Sequence, residues 1–370
     1  MTGALDLHLT DSQRELYEAT HQLAGSVLKP IADAGRPGRL NRPLFKALAE
    51  HGLLPRLFSD GRAIDLCLIR EALARACTDA ETAFGTDGLG AYPILQSGSA
   101  AVKDEWIPRV AAGEAVAAFA LTEPDAGSDV SALSLQAEPD RDGGYRLTGE
   151  KLWISHAPEA DIYTVFARAP EGITAFAVPG ESDGLSGEHR ELLAPHAIGS
   201  LRFEQVHVPQ ESVLGRPGEG FKVAMRTLDL FRPSVGAFAI GMARTALDMT
   251  IDYARVRQTF GQPLNANQSV SHRVADLTAR VHAARLVVHQ AANAHDAGLG
   301  DRALAAMAKL LATEVAQEAV DAAVQFHGAI ALERGHPLEH LYREVRAPRI
   351  YEGASEIQRE IIARRLFAER

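Results

Sequence analysis

The sequence predicts an α+β chain of several domains, helical first, then β, then helical again. Three observations carry that prediction. The 370 residues exceed one ordinary core and suit two or three packed units of roughly 100–200 residues each. A hydrophobic share of 46% with 23% charged residues belongs to a folded globular protein, not to a disordered or collagen-like one. The spacing of apolar residues also changes twice along the chain, from helical to alternating and back.

The first hundred or so residues, from "LTDSQRELYEATHQLAGSVL" onward, carry helical spacing. Thr10 with Gln13 three residues later forms a capping-box pattern at the first helix start. Further helices are expected in "RPLFKALAEHGL", "GRAIDLCLIREALARA" and "AAVKDEWIPRVAAG". Between Ala115 and Pro209 stand short runs rich in Val, Phe, Tyr, Ile and Thr: "AVAAFALT", "GYRLTGEKLWIS", "DIYTVFAR", "GITAFAVP" and "LRFEQVHVP". Broken by Gly, Pro and Asp, they read as strands of a small sheet or barrel. From Gly220 long helices return, and Val270, Val274, Leu277, Val281, Ala284 and Val288 form one stripe that must pack on other helices, as in a bundle.

Charge and cysteine content exclude several function classes. A net charge of -10 without a long basic run argues against nucleic acid as a partner, because phosphate binding needs clustered Lys and Arg. The two cysteines, Cys67 and Cys77, lie in one helix-like stretch and cannot form a disulfide framework. No apolar run reaches the ~18–20 residues of a membrane span, and no secretory pattern opens the chain, so a cytoplasmic protein is expected. "HPLEH", His336 to His340, matches an inverted zinc-protease pattern, yet Pro337 suits a helix start and no third ligand is evident. No metal is expected.

Four stretches carry candidate chemistry. In "FALTEPDAGSD", Phe119 to Asp129, small residues at a strand end let a backbone approach a ligand, while Thr122 and Ser128 offer hydroxyl donors; an ordinary turn would read alike. In "EKLWISHAPEAD", Trp153 beside Ser155 suits an aromatic cofactor or a packed core. In "RVRQTFGQPL", Arg257 and Phe260 before Gly261 can grip a pyrophosphate and stack on a purine, or simply turn the chain between helices. The fourth is "RIYEGASEIQRE", with carboxylates at Glu352 and Glu356.

Together these stretches resemble the acyl-CoA dehydrogenase family of flavoproteins: "LTEPDAGSD", "RQTFGQPL" and "YEGASEIQREIIARRL" are similar to its signatures, in order, over Leu9 to Leu366. The resemblance implies a helical N-terminal domain (1–114), a middle β-barrel (115–215) and a C-terminal helical bundle (216–370). It implies FAD, lined by Phe119, Leu121, Thr122, Gly127 and Ser128, with Trp153 and Ser155 on the other side. Arg257, Phe260 and Gln325 would serve the FAD of a neighbouring subunit, so a homotetramer or homodimer is implied, and Glu356 would lie near the cofactor's hydroxyls. Ser128, Asp229, Arg232 and Gly353 would lie near substrate, with an i,i+3 surface ion pair as the other reading of Asp229 and Arg232.

The implied reaction is α,β-dehydrogenation of an acyl thioester, with the β-hydrogen leaving as hydride to the flavin and electrons passing to an acceptor such as an electron-transfer flavoprotein. Acyl-CoA and acyl-carrier-protein substrates both stand, since the short segment "RLFSDGRAIDL" would suit a carrier-tethered, biosynthetic substrate. An oxidase or monooxygenase on the same fold, or a non-catalytic flavin-binding protein, are the alternatives. Of the two carboxylates, Glu352 stands before Gly353, which permits an unusual backbone and close substrate approach, whereas Glu356 falls in the first turn of a helix that Ser355 and Gln358 are expected to cap as a box. The slot from which some relatives take their base holds Phe231, which accepts no proton. Glu352 is therefore the expected base.

Overall fold

The computed structural model describes residues 8–59, 61–141 and 143–368. In chain order the helices are α1 (Asp11–Leu23), α2 (Lys29–Asp33), α3 (Arg42–Glu50), α4 (Leu53–Phe58), α5 (Ala63–Ala76), α6 (Thr78–Ser97) and α7 (Ala100–Ala111). Eight strands follow: β1 (Ala117–Ala120), β2 (Gln136–Pro139), β3 (Tyr145–Ser155), β4 (Ile162–Ala169), β5 (Gly172–Pro179), β6 (Leu185–His189), β7 (Ile198–Val208) and β8 (Val213–Leu214). The chain then runs through α8 (Gly220–Val256), a hairpin of β9 (Gln258–Thr259) and β10 (Gln262–Pro263), α9 (Gln268–Asp296), α10 (Arg302–His327), α11 (Pro337–Glu344) and α12 (Ser355–Phe367).

Local chemistry sets many of these boundaries. Thr10 and Gln13 close the expected capping box on α1, each side chain meeting the other's backbone amide. Pro337 stands at the start of α11 with His336 as its N-cap, so "HPLEH" is a helix start, and no group of His, Cys, Asp or Glu that could hold a metal occurs among the described residues. The stripe on α9 is mostly buried, with Val274 half-buried. Helix α6 had no such sequence signal, because Gly85, Gly88, Gly90 and Pro93 all depress helix propensity.

Two compact units divide the chain. Leu28–Gly61 and Thr82–Leu228 form one. Its sheet runs β6-β7-β3-β2-β4-β5-β8, with β1 joining β4 in parallel. Tyr145, Leu147, Tyr163, Val165, Phe176, Phe203 and Val206 form part of its apolar core. The described residues of Met1–Val27, Arg62–Glu81 and Asp229–Arg370 form the other, which is helical apart from the β9–β10 hairpin. In this unit the fully buried Glu71 on α5 meets Arg244 of α8 and Arg285 of α9, and Arg244 also donates to Tyr17 of α1. These ties cross four helices with charge-assisted bonds. Both cysteines are buried and unbridged. Among the described residues no helix is long and apolar enough to cross a membrane.

Candidate active site

In the helical unit the chain approaches Glu352 through the short 3-10 turn Ala347–Arg349, whose Ala347 carbonyl accepts from both Ile350 and Tyr351 amides. Glu352 then takes a left-handed φ of 51° and Gly353 one of 91°. For an L-residue with a side chain this costs on the order of 1 kcal/mol, so surrounding bonds must hold it. They do. Lys309 of α10, fully buried, donates from Nζ to the carbonyls of Tyr351 (2.7 Å) and Gly353. Gln358 of α12, also fully buried, donates to the carbonyls of Gly353 (2.7 Å) and Glu352 (3.4 Å). Glycine is required at 353, since a Cβ there would come within 2.6 Å of Gln358 Nε2.

One expectation is corrected. Ser355 and Gln358 do not form a capping box: Ala354 is the N-cap, Ser355 Oγ donates to Glu314 (2.6 Å), and Gln358 turns back onto the carbonyls of the Glu352 turn. A nearby carboxylate and the carbonyls of the Glu352 turn outcompete the helix amides for these side chains.

The Glu352 carboxylate itself makes no ion pair or hydrogen bond with the described residues, and its Oε2 is closed to solvent. Burial pushes its carboxyl above the ordinary glutamate value, while the charges of Arg70, Lys309 and Arg232 oppose that rise. Each of these cations is engaged elsewhere. Arg70 bonds Glu81 and Ser234 (2.7 Å), and Arg232 bonds Asp229 (2.9 Å), which also accepts from Arg302 (2.8 Å). Arg232 is buried, its Nε lacks a partner, and burial holds its guanidinium below the ordinary value. The surface-pair reading of Asp229 and Arg232 thus describes only half of it, because the arginine end is interior. The Glu352 amide also donates to nothing among the described residues. Glu356 differs in every respect: it is exposed in the first turn of α12, 3.5 Å from Arg359. Phe231 is buried in α8.

In the sheet unit, α6 sets the strand that leads into "LTEPDAGSD". Asp87 accepts the Ala117 amide (2.7 Å), Thr164 bonds the Gly90 carbonyl (2.7 Å), and any Cβ at Gly90 would lie 2.5 Å from the Ala118 backbone. Phe119 turns its ring toward Phe166, 4.9 Å away, and Leu121 packs against the same core. The Leu152 amide donates to the Thr122 carbonyl (3.0 Å), bringing the segment before Trp153 beside the end of β1. Trp153 has φ 59°, is 50% exposed, and sits where the β3–β7 register slips between Lys151 and Ile154. The hydroxyls of Thr122, Ser128 and Ser155 have no partner among the described residues. Gly127 would meet nothing with an added Cβ and has an ordinary φ, so the fold does not require glycine there. An exposed flat ring, unspent hydroxyls and an open glycine fit a flat, polar-edged group such as a flavin.

Back in the helical unit, the β9–β10 hairpin turns at Phe260 (φ 51°) and Gly261 (φ 79°). Phe260 is fully exposed, and the exposed Arg257 has no side-chain partner among the described residues. Gln325 is exposed on α10. The described non-glycine residues with positive φ are Trp153, His156, Gln205, Phe260 and Glu352, and three of these, Trp153, Phe260 and Glu352, are sequence candidates.

Sequence reasoning missed the supports: Lys309, Gln358, Asp87, Gly90 and Lys151. One signal was available for Lys309, a lone charge among Ala305, Ala306, Ala308 and Ala312 on the buried face of α10.

Family models for the acyl-CoA dehydrogenase N-terminal, middle and C-terminal domains match residues 10–114, 118–208 and 218–367. An acyl-CoA dehydrogenase of Bacillus subtilis (strain 168) is 34% identical, over 98% of this chain and 99% of its own. The structure of butyryl-CoA dehydrogenase from Megasphaera elsdenii superposes with a TM-score of 0.91 at 32% identity, over 97% and 98% of the two chains. PigA with FAD and proline gives 0.91 at 30% identity, over 98% and 99%. With all three domains matched in order across nearly its whole length, this chain belongs to the acyl-CoA dehydrogenase family.

Proposed function

We propose that the protein is an FAD-dependent dehydrogenase of acyl thioesters in which Glu352 removes the α-proton. The observation that carries this is an unspent carboxylate, with one oxygen closed to water, on a strained turn beside three cations that are each bonded elsewhere. A proton next to a thioester carbonyl is weakly acidic, so its acceptor must be poorly solvated and fixed in place. Glu352 is held on a strained, clamped turn, half-buried with one carboxylate oxygen closed to water. Its unspent amide is the candidate donor to the thioester oxygen, where negative charge develops as the proton leaves.

FAD, when bound, supplies the hydride acceptor for the β-carbon, so loss of a proton and a hydride leaves a Cα=Cβ double bond. Thr122, Ser128, Ser155 and Trp153 are the residues we assign to the flavin, with Phe119, Leu121 and Gly127 around them. Arg257, Phe260 and Gln325 we assign to the FAD of a second subunit. The unpartnered Arg257 and the exposed, strained Phe260 support that assignment, and with it a homodimer or homotetramer. Glu356 is assigned beside the cofactor, and Ser128, Asp229, Arg232 and Gly353 toward the substrate. Coenzyme A is the expected carrier, with a carrier protein as the biosynthetic variant and an electron-transfer flavoprotein as electron acceptor. Two unbridged cysteines suit a cytoplasmic setting.

The test is anaerobic bleaching of the flavin by a panel of acyl-CoA and acyl-carrier-protein thioesters. One class should bleach it fast, and Glu352→Gln should keep the yellow cofactor while losing about 10³-fold in rate. Full activity in that variant would remove Glu352 as base. Oxygen consumption with no reduction of dye acceptors would make the protein an oxidase instead.

A further inference from the structure

Lys309 does more than fill the helix interface. Its Nζ donates to the carbonyls of Tyr351 and Gly353, the two residues that flank Glu352, so one ammonium closes both ends of the strained turn. It is fully buried and has no carboxylate within ion-pair distance among the described residues. A buried cation without a contacting anion is costly, and an uncharged donor would bridge two carbonyls at less cost. Something beyond packing must favour the charge.

Four helices bring charged groups to Glu352 and Lys309. Arg70 comes from α5, Arg232 from α8, Lys309 and Glu314 from α10, and Glu356 from α12, with Tyr351 alongside. Arg70 and Arg232 are each anchored to a carboxylate, Glu81 and Asp229. Lys309 alone among the three cations bonds the turn that carries Glu352.

We propose that Lys309 is the positioning residue of the catalytic turn: its ammonium fixes the Glu352 backbone through both flanking carbonyls and sets an unneutralised positive charge beside the carboxylate. This rests on Glu352 being the base. The two parts are separable, because geometry depends on reach and field depends on charge. Burial pulls the Lys309 amine down to about 8, and Glu352 is the leading charge that counters this, so the two groups sense each other reciprocally.

The experiment compares Lys309→Met, Lys309→Arg and Glu352→Gln with wild type in the FAD-loaded protein. The probe is butyryl-CoA, or whichever panel thioester bleaches the wild-type flavin fastest. Amide exchange in 350–355 is measured on the same proteins without substrate. Lys309→Met should lower the bleaching rate by about 10–100-fold with KM changed less than about threefold. Its ratio of rate at pH 6 to rate at pH 7.5 should fall by about tenfold against wild type, because the base loses a stabilising charge and stays protonated to higher pH.

Exchange in the turn should quicken by about tenfold or more in both lysine variants. Lys309→Arg keeps the charge but replaces the compact ammonium with a longer, planar fork that the fully buried two-carbonyl site does not match, so it should keep the wild-type pH ratio while exchange rises. That pair of readings decides the question even if the methionine variant does not fold. A wild-type exchange rate in Lys309→Arg, or a wild-type pH ratio in a folded Lys309→Met, overturns the proposal. An active Glu352→Gln overturns the base assignment instead, so the two failures are told apart.

Discussion

Two buried lysines, one in each compact unit, hold loops by the same device and differ in what else they touch. Lys151 of β3 is fully buried and donates to the Leu121 carbonyl (2.9 Å) and to Glu123 (2.8 Å). Glu123 in turn accepts from the Ser134 amide (2.6 Å), the Ser134 hydroxyl (2.9 Å) and the Leu135 amide (3.0 Å). Burial favours the neutral acid at Glu123, but Lys151 and these bonds outweigh it and hold the carboxyl below the ordinary value. All charge in that network is spent. Lys309 is equally buried and likewise bonds carbonyls, those beside the proposed base Glu352, yet no carboxylate touches it, and that of Glu352 stays unspent. A closed ion pair spends its cation on the loop it holds, whereas the cation left open keeps its charge beside an unspent carboxylate.

The comparison predicts unequal penalties. Lys151→Met leaves Glu123 buried without its cation and should cost about 3–5 kcal/mol in unfolding free energy, measured by urea denaturation. Lys309→Met removes a charge that had no contacting partner and should cost only about 1–2 kcal/mol, while losing far more in rate. Equal stability losses in the two variants would break the distinction. A middle-sized effect belongs to the glycines. Gly353→Ala meets Gln358 Nε2 at 2.6 Å and a φ of 91°, and should cost about 1–3 kcal/mol with loss of turnover. Gly127→Ala meets no neighbour, so its stability should stay within about 0.5 kcal/mol of wild type. Any weakening of FAD binding in that variant, read by flavin fluorescence, then reports a ligand contact and not a folding defect.

How much of this was legible in the sequence follows the range of each interaction. Local signals read well: the Thr10 box, the α9 stripe and the unusual backbone at Gly353 are set by residues within one or two turns. Helix α6 was hidden, because its glycines serve distant backbone, with Gly90 making room for Ala118. Strands β2, β6 and β8 were also unread, being at most five residues long and set by pairing partners far along the chain. For the proposed base, sequence favours Glu352 over Glu356 and Phe231, a choice that the variants above test, but it misassigned Gln358. A capping box and a clamp on the preceding carbonyls use the same residue at the same spacing, and only the tertiary position of Glu314 decides between them.

One expected effect runs against the usual direction. Because burial raises the Glu352 carboxyl despite three nearby cations, its ionised form is less favourable in the folded chain than in the unfolded one. The sign follows from that. Well below the ordinary glutamate range the group is protonated in both states and contributes nothing, and as pH rises through and above it the ionised carboxylate lowers stability. Glu352→Gln abolishes this effect, so at pH 7 the variant should melt higher than wild type, with the gain vanishing as pH falls below the ordinary glutamate range. A pH series of melting curves on both proteins measures it. A glutamine variant less stable than wild type at pH 7 would mean that the carboxylate is holding Arg70, Lys309 and Arg232 in place as a structural anion. It would then resemble Glu123, and the open lysine of the helical unit would be a second closed one.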